Sequence, residues 1–406
     1  MITRRVLLQS AAAAAAYSAR GSRTARAENA PGVTDTEIKI GQTMPYSGPL
    51  SAYGVIGRTE AAYFKMINEQ GGVNGRKINF ISLDDAYSPP QTVEQVRRLV
   101  ESEKVAFLFS ALGTPTNAAV HQYLNDNKVP QLFVATGASM FTDPQHFPWT
   151  MGFRPNYQTE AHIYAKHILA TKPDAKIAVL YQNDAFGKDY LIGLKYALGP
   201  DHAGMIVKEA SYEVSEPTVD SQVVTLQGSG AGVFLIAASP KFAAQAIRKS
   251  YDLSWNAVRY LTNVSQSIVT VLKPAGLEKS KGLITATFGK DVNDPRWKDD
   301  PGVKKWRQFT DKSLSPTEFA DSNAGDAFGQ AATMVQVLKQ CADDLSRENI
   351  IKQAANLTDL ELPLLLPGIK INTSPTNYSP IRQMQLATFN GESWELFGEV
   401  LTDERS

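Results

Sequence analysis

Polar and apolar residues alternate along Glu37-Ile38-Lys39-Ile40-Gly41-Gln42-Thr43 and then give way to a wide polar loop, Met44-Pro45-Tyr46-Ser47-Gly48-Pro49-Leu50-Ser51-Ala52-Tyr53-Gly54. Beyond it, Ile56, Tyr63, Met66 and Ile67 fall on one helical face. The pattern predicts strand, loop and helix over residues 37–70. It then repeats. Residues 77–83 alternate as a strand ending in Asp84-Asp85, and residues 89–101 read as a helix with Val93, Val96 and Val100 on one side. Residues 105–109 are a near-continuous apolar run, as expected of a strand buried on both faces of a parallel sheet. A helix over 117–127 and a strand over 130–134, opening into Ala135-Thr136-Gly137-Ala138-Ser139, complete four β-α units. Such a series predicts a doubly wound α/β sheet.

The rhythm breaks near Trp149-Thr150-Met151-Gly152-Phe153-Arg154-Pro155 and restarts. Helices are expected at 159–170, 187–198, 219–227 and 241–251, and strands at 176–181, 205–212, 233–237 and 258–262. A second α/β lobe of similar build follows, without a repeat at the level of residues. The chain continues through 281–287, reads as helical throughout 303–356, and becomes a proline-bearing connector over 364–380. It ends in a hairpin of residues 382–389 and 394–398 around an Asn390-Gly391 turn. Three segments look like crossings between the lobes. The division expected is 28–152 with 289–378 as lobe 1, and 153–288 with 379–406 as lobe 2.

Composition narrows the partners. Lys+Arg and Asp+Glu are both 41 in 406 residues, and no basic run occurs after residue 26, which argues against nucleic acid and an acidic membrane surface. The first 27 residues differ from the rest. Arg4-Arg5 precede Val6-Leu7-Leu8, a run of alanines and an Ala25-Arg26-Ala27 site, the marks of a twin-arginine-like export signal removed after about Ala27. A short buried helix is the other reading, but it gives Arg20, Arg23 and Arg26 no purpose. The expected location is the periplasm. The single cysteine, Cys341, permits no intramolecular disulfide and reads as a small buried apolar residue.

His121, His146, His162, His167 and His202 make no metal spacing, and no Gly-x-Ser-x-Gly elbow occurs. Phe186-Gly187-Lys188-Asp189 lacks the upstream glycine and the Ser/Thr of a phosphate loop. Asp84-Asp85 could hold magnesium, or could be a hydrogen-bonded acidic pair. No enzyme activity, metal or cofactor is expected. The polar loop at 44–54 is longer than ordinary strand–helix connections of roughly 2–6 residues, which marks it as a pocket wall, although an ordinary connection remains the other reading.

The order of export signal, Ile38-Lys39-Ile40-Gly41, Ser47-Gly48-Pro49, Tyr53-Gly54, Gly71-Gly72-Val73-Asn74-Gly75, Asp84-Asp85 and Ala185-Phe186-Gly187 resembles the periplasmic binding proteins of ABC importers, of the leucine/isoleucine/valine-binding type. The resemblance covers nearly all of the chain after the signal. It implies a type I periplasmic binding protein fold, two α/β lobes joined by three crossings, that closes as a monomer on a ligand and delivers it to a membrane permease and ATPase. It also implies that Thr114 and Ala135-Thr136-Gly137 hold a ligand carboxylate, and that Tyr53 and Phe186 close over its side chain from opposite lobes. The alternatives are a loop tyrosine at Tyr53, lobe core at Phe186, and a helix cap at Thr114.

The departures from the family set the ligand expectation. Amino-acid binders carry an acid in the loop corresponding to Asn263-Val264-Ser265, where it pairs with the ligand's ammonium, and here that loop is neutral. A buried ammonium without its partner costs roughly 3–5 kcal/mol, about two to three powers of ten in affinity. A small aromatic or branched organic acid is therefore expected. Phe186 stands where many members have tyrosine, and Ser239 where another aromatic is common. Tyr87 and Gly113 replace two cysteines that are paired in some members. Branched-chain amino acids or amides are the alternative ligands, and an exported α/β hydrolase is the alternative class.

Overall fold

The computed structural model describes residues 29–402. The export signal read at residues 1–27 lies outside the described residues. Within them, β1 (Glu37–Met44), β2 (Lys77–Asp84), β3 (Phe107–Phe109), β4 (Gln131–Val134) and β5 (Thr150–Gly152) form a parallel sheet in the order β2-β1-β3-β4-β5. The connecting helices are α1 (Gly54–Glu69), α2 (Pro89–Arg97) and α3 (Thr114–Asp126).

The second sheet contains β6 (Ile177–Gln182), β7 (Ile206–Tyr212), β8 (Val233–Ala237), β9 (Val258–Leu261) and β10 (Ile284–Thr287) in the order β7-β6-β8-β9-β10. That order repeats the first sheet strand for strand. Its helices are α4 (Tyr157–Thr171), α5 (Ala185–His202), α6 (Asp220–Gln227) and α7 (Pro240–Asp252). An antiparallel pair, β11 (Gln383–Phe389) and β12 (Trp394–Thr402), extends it beyond β10. The repeat that the residues do not show is thus present in the topology.

The apolar runs become sheet interior. Phe107, Leu108 and Phe109 are wholly buried, each worth about 1.5–3 kcal/mol over an exposed side chain, and Phe64 from α1 meets Phe109 at 5.6 Å between ring centroids. Helices α8 (Pro301–Ser313), α9 (Ser322–Cys341) and α10 (Arg347–Ala354) return to the first sheet. Phe309 and Phe328 pack on Tyr63 of α1, and the Arg347 guanidinium reaches the Val105 and Ala106 carbonyls at 3.1 and 2.8 Å. The chain therefore passes between the sheets three times, after β5, after β10 and before β11.

Several boundaries depart from the sequence reading. The 303–356 region is not one continuous helical stretch: Ala342 takes φ 50° at the end of α9, and the Ser346 side chain caps α10 by accepting from Asn349 N. Helix α3 begins at Thr114, three residues before the expected start, because Gly113 takes φ 102° and turns the chain into it. The terminal strand runs on to Thr402, with Phe389 opposite Trp394, so the turn is wider than Asn390-Gly391. Asp84 and Asp85 serve the backbone. Asp84 accepts from the amides of Tyr46, Ser47 and Ala86, and Asp85 from Tyr87 N and Thr92 Oγ1. Cys341 is buried, which pushes its thiol up to about 12.

Candidate functional site

In a sheet of order 2-1-3-4-5 the strand order reverses between the first and third strands, and a crevice opens beyond their carboxyl ends. Here two such crevices face each other. Between them lies a cavity of about 420 Å³, walled by residues at or beyond the carboxyl ends of β1 (Tyr53, Ile56), β3 (Leu112, Gly113, Thr114), β6 (Gln182, Phe186) and β8 (Ser239). The N-termini of α1, α3, α5 and α7 all point to this region, and a helix N-terminus favours negative charge.

Of the residues expected from the sequence, Tyr53, Thr114, Ala135, Thr136, Phe186, Ser239 and Val264 line the cavity. Thr114 is not a cap: its hydroxyl lies 2.7 Å from that of Thr136, which lies 3.2 Å from the Tyr157 hydroxyl. Phe186 both lines the cavity and packs edge-on against Tyr157 and Tyr190. Tyr53 is no loop tyrosine in solvent; it is 7% exposed, and its hydroxyl donates to the Val264 carbonyl at 3.1 Å. Ser239 bonds Tyr212, with 3.0 Å between the hydroxyls.

Gly137, Asn263 and Ser265 stand outside the lining. A Cβ on Gly137 would lie 2.3 Å from the Pro155 carbonyl oxygen, so its bareness serves the passage of the first crossing. Ser265 Oγ donates to the Ala238 carbonyl and fixes its own loop. Asn263 holds a neighbour, as follows.

The sequence does not mark Arg154, Tyr157, Gln182 or Asn323, which also line the cavity, and it places Ile56 on the apolar face of the first helix and Tyr87 and Gly113 only as replaced cysteines. Those two positions are in contact, since a Cβ on Gly113 would lie 2.4 Å from the Tyr87 ring. Arg154 sits on the first crossing, 6% exposed. Its Nη2 is 2.9 Å from Asp326 Oδ2 and donates to Asn263 Oδ1 at 3.3 Å, and its guanidinium lies over the Phe288 ring. Desolvation acts to lower its pKa, but Asp326 and the surrounding tyrosines outweigh it, so the guanidinium keeps its charge. Burial pushes the Asp326 carboxyl above its ordinary value even beside that guanidinium. The only signal in the sequence was an arginine set in the interrupted segment between the lobes.

Beneath the Asn263 loop is Glu160, wholly buried. It accepts from the Tyr164 and Tyr190 hydroxyls and from Asn263 N at 2.6–2.8 Å, yet burial raises its pKa to about 7. Asp184 accepts from the amides of Phe186 and Gly187 at the start of α5 and from Gln182 Nε2. Neither acid lines the cavity. Further contacts across the cleft are Gln182 Nε2 to the Tyr87 hydroxyl at 3.4 Å and Ser139 N to Asp189 Oδ2 at 2.7 Å. The lobes are closed on each other.

A larger cavity of about 630 Å³ lies on the far side of the Arg154–Asp326 pair, with Trp297, Trp306, Trp394 and Asp326 in its wall. It borders β10 and the terminal hairpin, away from the two strand-order reversals, and so is the weaker candidate. Among the described residues, no group of His, Cys, Asp and Glu side chains could hold a metal ion, and no helix is long and apolar enough to cross a membrane.

The profile of the periplasmic binding protein family matches residues 37–393. The Leu/Ile/Val-binding protein homolog 1 of Brucella abortus is 24% identical over 296 residues, 70% of this chain and 74% of its own length. Homolog 3 of Brucella melitensis is 26% identical over 202 residues, 48% of this chain and 53% of its own, so the chain spans about half the length of that relative. Among solved structures, a branched-chain amino acid ABC transporter protein of Thermus thermophilus with bound valine superposes with a TM-score of 0.82 at 16% identity, covering 92% of this chain and 98% of that one. A fatty acid ABC transporter substrate-binding protein of Thermomonospora curvata gives 0.78 at 21% identity, covering 93% and 95%. With the paired lobes, the crossings and the cavity between them, the match over residues 37–393 makes this chain a member of the periplasmic binding protein family.

Proposed function

We propose that this chain is the periplasmic substrate-binding subunit of an ABC importer, and that it binds a small organic carboxylate lacking an ammonium group, with an aromatic or branched apolar tail. One observation carries the reading. The cavity lining contains no Asp or Glu, and its charged residue is Arg154. An ammonium there would lose its hydration without gaining a carboxylate, whereas an anion meets a guanidinium, hydroxyls and helix N-termini.

The roles follow from placement. The hydroxyls of Thr114 and Thr136, with the backbone at Ala135, hold the carboxylate at the N-terminal end of α3. Tyr53, Tyr87, Tyr157 and Phe186 enclose the tail. Binding favours closure because the ligand touches residues of both lobes, and the closed form is what a permease would recognise. The fatty acid named for the Thermomonospora curvata neighbour is likewise a carboxylate without an amine.

A thermal-shift screen of residues 28–406 against benzoate-like, cinnamate-like and branched aliphatic acids, with leucine, valine and urea, tests the reading. A rise of several degrees with acids and none with leucine is expected. A strong rise with leucine or valine would replace the ligand class with the amino acids.

A further inference from the structure

The larger cavity, on the far side of the Arg154–Asp326 pair, has the opposite charge to the cleft. Its wall sets Asp291, Asp321 and Asp326 against one cation, Lys290. The Lys290 ammonium is committed to Asp300 at 2.9 Å and to the Pro363 carbonyl at 3.0 Å, while Asp326 Oδ2 meets Arg154. Among the described residues no Lys, Arg or His pairs with Asp291 or Asp321. Burial holds both carboxyls above their ordinary value, as it does acids set away from water without a counter-ion.

Acceptors open on this cavity. Asp326 is two-sided: with Oδ2 on Arg154, its Oδ1 faces Gly289 in the cavity wall, where an added Cβ would lie 3.6 Å from it. Asp321 is 4% exposed, and beyond Asn323, which donates to Oδ1 through N and Nδ2, it has only the Ser267 hydroxyl beside it. Gln266, 7% exposed, donates through Nε2 to Thr287 Oγ1 at 3.4 Å, and its Oε1 has no partner among the described residues. Unlike Arg154 Nε, that oxygen is not sealed in the core, so the surface it keeps is the cavity's. The indole donors are committed. Trp306 Nε1 donates to the Phe319 carbonyl at 3.0 Å and Trp394 Nε1 to the Gln266 carbonyl at 2.9 Å, so these side chains offer the cavity apolar rings and no N–H. Trp297 already draws the Lys290 ammonium to 5.4 Å from its ring centroid.

We propose that this cavity is a second ligand site, for a small primary ammonium with an apolar body, its N–H groups received by Asp321, Asp326 Oδ1 and Gln266 Oε1 and its body packed among Trp297, Trp306 and Trp394. A primary ammonium has three donors and no acceptor, which suits a wall of surplus acceptors. An anion would meet three carboxylates, and a neutral apolar molecule would leave the two unpaired acids without a counter-charge. Trp306 and Asp321 come from the first lobe, Gln266 and Trp394 from the second, and Asp291 from the second crossing, so the ligand would sit against the hinge. The site does not rest on the small-carboxylate reading, which concerns the cleft on the other side of Arg154.

Calorimetric titration of residues 28–406, with tryptophan emission followed in parallel, tests the proposal with two pairs of probes: benzylamine against benzyl alcohol, and 3-methylbutylamine against 3-methylbutanol. In at least one pair the amine should bind about tenfold or more tighter than the alcohol. Asp321→Asn should weaken that amine about fivefold or more, while the asparagine still caps α9. Trp297→Leu, at a half-buried position, should weaken it about as much and guards against a folding defect in the first variant. Amines that fail to bind, that bind no tighter than their alcohols, or that bind either variant as tightly as the native protein would overturn the proposal. So would displacement of the amine by an acid that fills the cleft. The carboxylate reading is decided by the acids alone and stands or falls separately.

Discussion

The Tyr53 hydroxyl donates to the Val264 carbonyl at 3.1 Å across 211 residues of sequence, tying the loop after β1 in one lobe to the loop after β9 in the other. Both residues are buried and both wall the cavity, so the bond joins the two lobes at the cleft itself.

Tyr53→Phe keeps the ring and removes that bond. Ligand affinity should fall about 5- to 10-fold, the worth of one neutral hydrogen bond, while the ligand-free unfolding midpoint moves little. Calorimetry with the best acid from the screen, alongside small-angle scattering for the open fraction, checks this. An unchanged affinity would remove Tyr53 from the closure account.

Gly113→Ala should be costly for two reasons at one position. Its φ of 102° disfavours any Cβ, and that Cβ would lie 2.4 Å from the Tyr87 ring and 2.5 Å from Thr116 Oγ1. A loss of about 1–3 kcal/mol in urea unfolding is expected, together with weaker binding because Tyr87 walls the cavity.

Glu160 gives a pH dependence of defined sign. Burial raises its carboxyl from 4.5 to about 7, so the folded state holds a proton that the unfolded chain releases. Its contribution to stability is therefore greatest below about 4.5 and declines as pH rises toward about 7, at roughly 1.4 kcal/mol per unit. In Glu160→Gln this decline should vanish, leaving the variant more stable than the native protein at pH 8. Thermal unfolding from pH 4.5 to 8 reads it, and parallel curves for the two proteins would contradict it.

Arg154→Met should abolish most acid binding, by about 100-fold or more, and destabilise the fold by about 3–5 kcal/mol because Asp326 is left buried without its cation. Adding Asp326→Asn should recover much of the stability and none of the binding. Recovery of both would make the pair a structural strut only.

The layers of the fold were legible because buried parallel strands such as 107–109 are apolar on both faces, and that signal needs no tertiary context. Helix starts were less so. Thr114 begins α3 only because Gly113 adopts a positive φ, a property of the folded loop. The cavity divides in the same way. Tyr53, Thr114 and Thr136 follow strands that the pattern locates, so their convergence could be anticipated. Arg154 lies on a crossing, with partners at Asn263 and Asp326 that are distant in sequence, and nothing local marks it as the charge of the cleft. Gly137 was read as a ligand contact, and its sequence neighbours gave no hint that Pro155 and Tyr157 press against it from behind.

The most direct test of the ligand class is a side-by-side calorimetric titration of residues 28–406 with 4-methylpentanoate and leucine, which share a skeleton and differ by the amine. The acid should bind, and leucine should bind at least about 100-fold more weakly, the cost of an ammonium without a carboxylate partner. Leucine binding as tightly as the acid, or more tightly, would contradict it.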